Sequence, residues 1–62
     1  MNTQRLKELM ESRAVKQSEL ADAIGVTQAF MSYLIKGFKT PSVDVLKRIA
    51  NYFRVPIDEL VS

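Results

Sequence analysis

The sequence predicts an all-α fold of five short helices. Apolar residues recur at helical spacing in each segment between turn signals, and no stretch shows the apolar–polar alternation that is typical of a strand. The connections between these segments are two to five residues long, as in compact helical domains. A chain of 62 residues suffices for one small core, so we expect a single domain over residues 1–62.

The first two helices are predicted from their apolar faces. The first covers residues 3–13, with Asn2 or Thr3 as its N-cap, and the second covers residues 17–24. Their inward positions are Leu6, Leu9, Met10, Arg13, Leu20, Ala21 and Ile24.

The third helix has clear start and stop signals. Thr27 is a good N-cap for a helix over residues 28–36, and Gly37 ends it because glycine readily adopts a left-handed backbone. Inside this helix, Met31 and Leu34 point towards the core. Phe30 lies on the flank, where packing over the second helix is expected.

Two further helices complete the fold. After a turn at residues 40–42, an apolar stripe predicts a helix over 43–53, with Asp44 in the first turn, where the helix dipole favours an acid. Pro56 then breaks the chain, and a short helix over 57–61 closes the core. The stripe consists of Val45, Leu46, Ile49, Ala50 and Phe53, and the last helix contributes Ile57, Leu60 and Val61.

The composition excludes several classes of protein. The chain has no cysteine and no histidine, so it lacks disulfides, the commonest general base and the commonest zinc ligands. Its longest apolar runs are three residues, too short for a membrane span or a signal-peptide core. We therefore expect a cytoplasmic protein that is not an enzyme and takes no cofactor, metal or small-molecule ligand.

The charge is unevenly distributed along the chain. Residues 27–40 carry Lys36 and Lys39 and no acid, whereas residues 17–26 carry two acids and no base. A segment without carboxylates can approach a polyanion without repulsion. The alternative is a solvated surface whose charge is merely uneven.

Residues 17–37 contain the most specific motif of the sequence. Gln17, Ala21, Gly25, Met31 and Leu34 follow the spacing Q-x3-A-x3-G-x5-[apolar]-x2-[apolar]. This spacing packs two short helices steeply around a tight turn: Ala21 must be small where the second helix crosses, and Gly25 ends the first. The motif is that of a helix-turn-helix.

Together with its flanks, this motif resembles the Cro/repressor helix-turn-helix family of phage and bacterial regulators. The resemblance runs from Leu6 to Leu60. It is carried by LKELMESR, QSELADAIGVTQ, the Lys36-Gly37 stop, TPSVDVLKRIA and VPIDEL. It implies a compact five-helix, lambda-repressor-like domain that binds double-stranded DNA sequence-specifically, with the third helix in the major groove.

The resemblance and the helical geometry together indicate the DNA-contacting residues. With Met31, Leu34 and Ile35 facing inward, the opposite face is expected to contact bases, and Gln28 at its tip could pair with adenine N6 and N7. The expected base-reading residues are Gln28, Ala29, Ser32 and Tyr33. The expected phosphate-binding residues are Gln17, Thr27, Lys36, Lys39 and Thr40.

The resemblance also implies a weak homodimer on a near-palindromic operator. The expected interface is the end of the fourth helix and the start of the fifth, at Tyr52, Arg54, Val55, Pro56 and Ile57. The alternative is a helical protein-interaction module, such as an antitoxin or a regulator's partner with the same fold. An apolar patch of Phe30, Tyr33 and Phe38 would favour that alternative.

The chain departs from the family pattern at three points. Ala14 stands where a glycine usually ends the first helix, and Lys16 stands where a serine or threonine usually caps the second. Met10 and Ile35 replace an arginine and a glutamate that often form a partly buried ion pair. We predict that Ile35 contacts Met10 inside the fold, whereas the competing interpretation is that it forms an exposed patch with Phe38. Phe38 itself is expected to fold over the loop; the alternative is an exposed contact with the sugar-phosphate backbone or with a partner.

Overall fold

A computed structural model describes residues 1–61 and contains five α-helices in that part of the chain. They are α1 (Thr3–Ser12), α2 (Gln17–Ile24), α3 (Gln28–Lys36), α4 (Val43–Phe53) and α5 (Asp58–Val61). The predicted all-α fold is thus confirmed. Ser62, which the expected domain of residues 1–62 includes, lies outside the described residues.

The observed helix ends differ from the predicted ones by one residue at two places. The first helix ends at Ser12 rather than at residue 13, and the last begins at Asp58 rather than at residue 57. Arg13 is therefore not part of the inner face of α1. Its backbone caps the helix and its guanidinium Nη1 donates a hydrogen bond of 2.6 Å to the carbonyl oxygen of Phe53.

In the part of the chain that the structure describes, the helices α1, α3 and α4 begin with a side-chain cap. Asn2, Thr27 and Ser42 each accept a hydrogen bond from the backbone N–H three residues later, at 3.0, 3.0 and 3.2 Å. Each bond satisfies one of the free donors at a helix start, so it fixes where α1, α3 and α4 begin.

The start of α2 lacks such a cap, as its sequence predicts. Lys16 occupies the N-cap position, and an ammonium group has no acceptor for the free N–H groups of the helix. Only the reciprocal half of a capping box forms: the carboxylate of Glu19 accepts from the backbone N–H of Lys16 at 3.3 Å.

Within residues 1–61, four residues have a left-handed backbone, and two of them are not glycine. Gly25 and Gly37 end α2 and α3 with φ of 77° and 81°, as predicted. Ala14 follows α1 with φ of 53°, and Arg54 ends α4 with φ of 57°. A side chain makes this conformation unfavourable by about 1–2 kcal/mol, so both positions hold local strain.

The core lies where all five helices meet. Helix α2 packs against α3 and α4, and α1 packs against α3 and α5. The buried side chains are Leu6, Leu9, Leu20, Ala21, Ile24, Met31, Leu34, Ile49, Ala50, Phe53 and Leu60. Of the residues expected to close the core in α5, only Leu60 is buried. Ile57 is half-buried, and Val61 is 56% exposed because α5 turns that side towards solvent.

Polar contacts join the two ends of the described chain. The backbone N–H of Asn2 donates to the carbonyl oxygen of Leu60 at 2.7 Å, and the guanidinium of Arg5 lies 3.0 Å from the carboxylate of Glu59. The hydrogen bond with Glu59 raises the pKa of Arg5 above its ordinary value. None of the helices within residues 1–61 combines the length and apolarity needed to cross a membrane.

Candidate nucleic-acid interface

The helix-turn-helix is formed by α2 and α3. Ala21 is buried where the two helices meet, and Gly25 supplies the left-handed turn between them, as the spacing predicts. The side-chain amide of Gln17, in the first turn of α2, donates a hydrogen bond of 3.1 Å to the backbone carbonyl of Gln28, in the first turn of α3. This bond fixes the start of one helix against the start of the other.

A second polar contact joins the helix-turn-helix to α4. Arg48 of α4 donates from Nη1 to the backbone carbonyl of Ile24 at 3.1 Å, and its Nη2 lies 2.9 Å from the carboxylate of Asp44. Arg48 thereby satisfies a carbonyl at the end of α2 and ties the motif to the core helix α4. The hydrophobic pattern does not reveal this role, because a long cation at an exposed helical position is usually solvated.

The predicted base-reading residues lie together on the outer side of α3. Gln28, Ala29 and Tyr33 are exposed and Ser32 is half-buried, while Met31 and Leu34 are buried on the other side. The helix thus presents a short polar end at Gln28 and an aromatic ring one and a half turns later. Phe30 is half-buried and packs against the core, as expected.

The predicted phosphate-binding residues surround this face, and two of them also make hydrogen bonds within the protein. Thr27, Lys36, Lys39 and Thr40 are exposed. The Thr27 hydroxyl accepts a hydrogen bond as the N-cap of α3, and this bond leaves its own hydrogen able to donate to a phosphate. Gln17 is half-buried, and one of its amide hydrogens is used by the bond to the Gln28 carbonyl.

Phe38 does not fold over the loop, which corrects the expectation from sequence. It follows the helix-ending Gly37 and is 72% exposed. Its ring centroid lies 6.4 Å from that of Tyr33, with the planes tilted by 37°, and Lys39 Nζ lies 6.0 Å above the Tyr33 ring. The ring is outside because it packs against Tyr33 on the outer side of α3 instead of against the core. Phe30 is too buried to complete the three-residue apolar patch considered above.

Met10 and Ile35 line one open apolar groove. Both are half-buried against the core, and the groove between α1, the start of α2 and the end of α3 has a volume of about 600 Å³. Its lining consists of Lys7, Met10, Glu11, Ala14, Val15, Lys16, Gln17 and Ile35. The two side chains thus line the same surface groove and are only partly buried, whereas the prediction places their contact inside the fold. Phe38 does not line it, so the alternative patch of Ile35 with Phe38 gains no support.

The residues expected in a dimer interface lie near each other along the chain between α4 and α5. Tyr52 packs edge-to-face on Phe53 at 5.1 Å between ring centroids and keeps an exposed side. Arg54 and Pro56 are exposed, and Val55 and Ile57 are half-buried against the core. Ile57 therefore serves the monomer core and still offers apolar surface.

Within residues 1–61, no group of three or more acidic side chains is arranged to hold a metal ion.

Comparison with known proteins agrees with this geometry. A helix-turn-helix family model matches residues 6–60. The chain is similar to the cryptic phage CTXphi transcriptional repressor RstR of Vibrio cholerae, with 32% identity over 62 residues. That match covers 100% of this chain and 56% of the relative, so the chain spans about half the length of the curated relative it matches. No solved structure matches the chain. The chain belongs to the Cro/repressor helix-turn-helix family of DNA-binding transcription regulators.

Proposed function

We propose that the chain is a repressor-type transcriptional regulator that binds a near-palindromic operator as a dimer, with α3 in the major groove. Membership of the family makes it a DNA-binding regulator and not an enzyme. The similar phage protein is described as a transcriptional repressor, which favours repression over activation. Residues 1–62 would form one DNA-binding domain, acting in the bacterial cytoplasm where its operator lies.

The observation that carries the proposal is how α3 is held. Its inner side is buried at Met31 and Leu34, and its first turn is bound to α2 through Gln17, so Gln28 and Ala29 are held outward on a rigid helix. Rigid side chains at the start of a recognition helix are the ones that reach base edges. No carboxylate occurs between residues 27 and 40, so the polyanion meets Lys36 and Lys39 without repulsion.

In this proposal, Gln28 makes a bidentate pair with an adenine and Ala29 contacts a thymine methyl group. Ser32 and Tyr33 contact bases or backbone further along the helix. Phosphates are bound by the exposed residues around that face and by the backbone N–H groups at the starts of α2 and α3. These residues are Gln17, Thr27, Lys36, Lys39 and Thr40.

Dimerisation would double the length of sequence that is read. The longest extent of the domain is 24 Å, so two copies can stand side by side with their reading helices one DNA turn, about 34 Å, apart. The apolar surface left at Val55 and Ile57 is small, so the dimer would be weak without DNA. A complex that sediments with one protomer per operator would contradict this part of the proposal.

The decisive experiment is selection of binding sites from random duplex DNA, followed by titration of the selected duplex. Gln28→Ala should lose the preference for the selected site and keep the binding to unrelated DNA. Gln4→Ala is the matched comparison, because Gln4 is an exposed glutamine on α1 and is not among the proposed contacts. Failure of the unmodified chain to enrich any sequence would overturn the proposal and favour the protein-interaction alternative, for which Tyr33 and Phe38 supply the only paired exposed rings among residues 1–61.

A further inference from the structure

We infer that Phe38 is a DNA-contacting residue whose ring packs on the deoxyribose of the backbone at the edge of the major groove. The Tyr33 ring packs beside it, and Lys39 binds the adjacent phosphate. This inference rests on the proposed function and adds a contact to it. From the sequence, a contact of Phe38 with the sugar-phosphate backbone was only the alternative to packing over the loop.

Phe38 is exposed and lies next to Tyr33, a predicted base-reading residue. Phe38 is 72% exposed and Tyr33 is 44% exposed, and their ring centroids are 6.4 Å apart. The two rings thus form one apolar shelf on the surface that carries Gln28 and Ala29. A contact between the rings limits the rotation of Phe38, so little freedom is lost when a partner covers it.

Two lysines border these rings. Lys39 Nζ lies 6.0 Å above the Tyr33 ring, on the same shelf, and Lys36 precedes the turn by one residue. The apolar shelf is thus bordered by two cations and lies in a segment without carboxylates. It complements a partner in which apolar and anionic groups alternate. The deoxyribose-phosphate backbone has that alternation, whereas a typical protein surface does not repeat it.

The two ends of a recognition helix meet different parts of the DNA. Residues at the start of a recognition helix reach base edges. Phe38 lies just beyond the other end, after the left-handed Gly37, and the hydrogen bond from its own N–H to the carbonyl of Tyr33 (2.8 Å) fixes the turn. A residue placed there meets the rim of the groove, where the sugar is the apolar component. It therefore adds affinity without reading sequence.

The test is a titration of the selected operator and of an unrelated duplex with Phe38→Ala, Phe38→Leu and Lys39→Ala. Val43→Ala is the control, since Val43 is also exposed (66%) but belongs to α4. We expect Phe38→Ala to weaken binding to both duplexes by the same factor, about tenfold, and to leave the salt dependence unchanged. Phe38→Leu should retain most of the affinity, Val43→Ala should retain all of it, and Lys39→Ala should flatten the salt dependence.

Several outcomes would overturn the inference. Affinity that is unchanged in Phe38→Ala would remove the contact while leaving the proposed function intact. A loss that disappears when uracil replaces thymine would assign the ring to a base methyl group instead of the sugar. A change in sedimentation of the free protein would assign it to contact between copies. Unmodified protein that binds neither duplex would instead overturn the proposed function itself.

Discussion

Ala14 holds the turn between α1 and α2 in a conformation that glycine adopts more easily. Its φ is 53°, and no glycine intervenes between α1 and Lys16. The sequence pointed to this position, because the family usually has glycine there. The strain follows from the Cβ of Ala14, which crowds the backbone when φ is positive.

We therefore expect Ala14→Gly to stabilise the fold. The relief of about 1–2 kcal/mol exceeds the extra chain entropy of glycine, about 0.4–1 kcal/mol, so a net gain of roughly 0.5–1 kcal/mol is expected. Chemical denaturation measures it. Ala23→Gly, inside α2, is the matched control and should lose about 0.5–1 kcal/mol. Equal losses at the two positions would show that the turn is unstrained.

The pair of Met10 and Ile35 allows a second test at this scale. Ile35→Glu alone should lower the free energy of unfolding by about 2 kcal/mol, because a carboxylate beside Met10 would replace apolar packing against the core. Adding Met10→Arg should recover at least half of that loss. Two changes whose effects simply add would show that the shared groove does not couple them.

The sequence predicted the role of single residues where that role depends on backbone geometry. It did not predict side-chain directions that depend on packing. Thr27, Gly25 and Gly37 follow directly from capping and left-handed geometry. The outward direction of Phe38 does not, because an aromatic residue after a helix can turn either way. Only the packing around Tyr33 decides it.

At the scale of elements, the helices are joined by arginines that reach terminal carbonyls. Arg48 connects α4 to the end of α2, and Arg13 connects the end of α1 to the end of α4, where its guanidinium also lies 5.9 Å above the Phe53 ring. The helices themselves were predictable from caps and apolar spacing. These connections were not, because they join residues 24 and 40 positions apart and leave no local pattern.

We expect Arg48→Ala to lower the free energy of unfolding by about 1–2 kcal/mol, since the Ile24 carbonyl would lose a charged donor. Asp44→Ala separates the two contacts of Arg48. It should change the free energy by less than about 0.5 kcal/mol, because its ion pair is on the surface. Thermal and urea unfolding would measure both. An Asp44→Ala loss as large as that of Arg48→Ala would assign the stabilisation to the ion pair.

For the whole molecule, the distribution of charge sets how binding responds to salt. Each phosphate contact lowers the slope of log affinity against log salt by about 0.9, and a symmetric dimer makes each contact twice. Lys39→Ala should therefore reduce the magnitude of the slope by about 1.8 for a dimer and by about 0.9 for a monomer. Lys47→Ala, on α4, should leave it unchanged. An unchanged slope in Lys39→Ala would remove that residue from the phosphate contacts.

The bond from Gln17 to α3 ends on a backbone carbonyl, not on a side chain. Any residue at position 28 provides that carbonyl, so the attachment of the recognition helix is independent of what the helix recognises. Descendants of this chain could exchange Gln28, Ala29, Ser32 and Tyr33 and acquire new operators while inheriting the same scaffold. Specificity can thus diverge quickly in evolution if these are the base-reading residues, as proposed, and an engineer could graft the four positions from another regulator without redesigning the core.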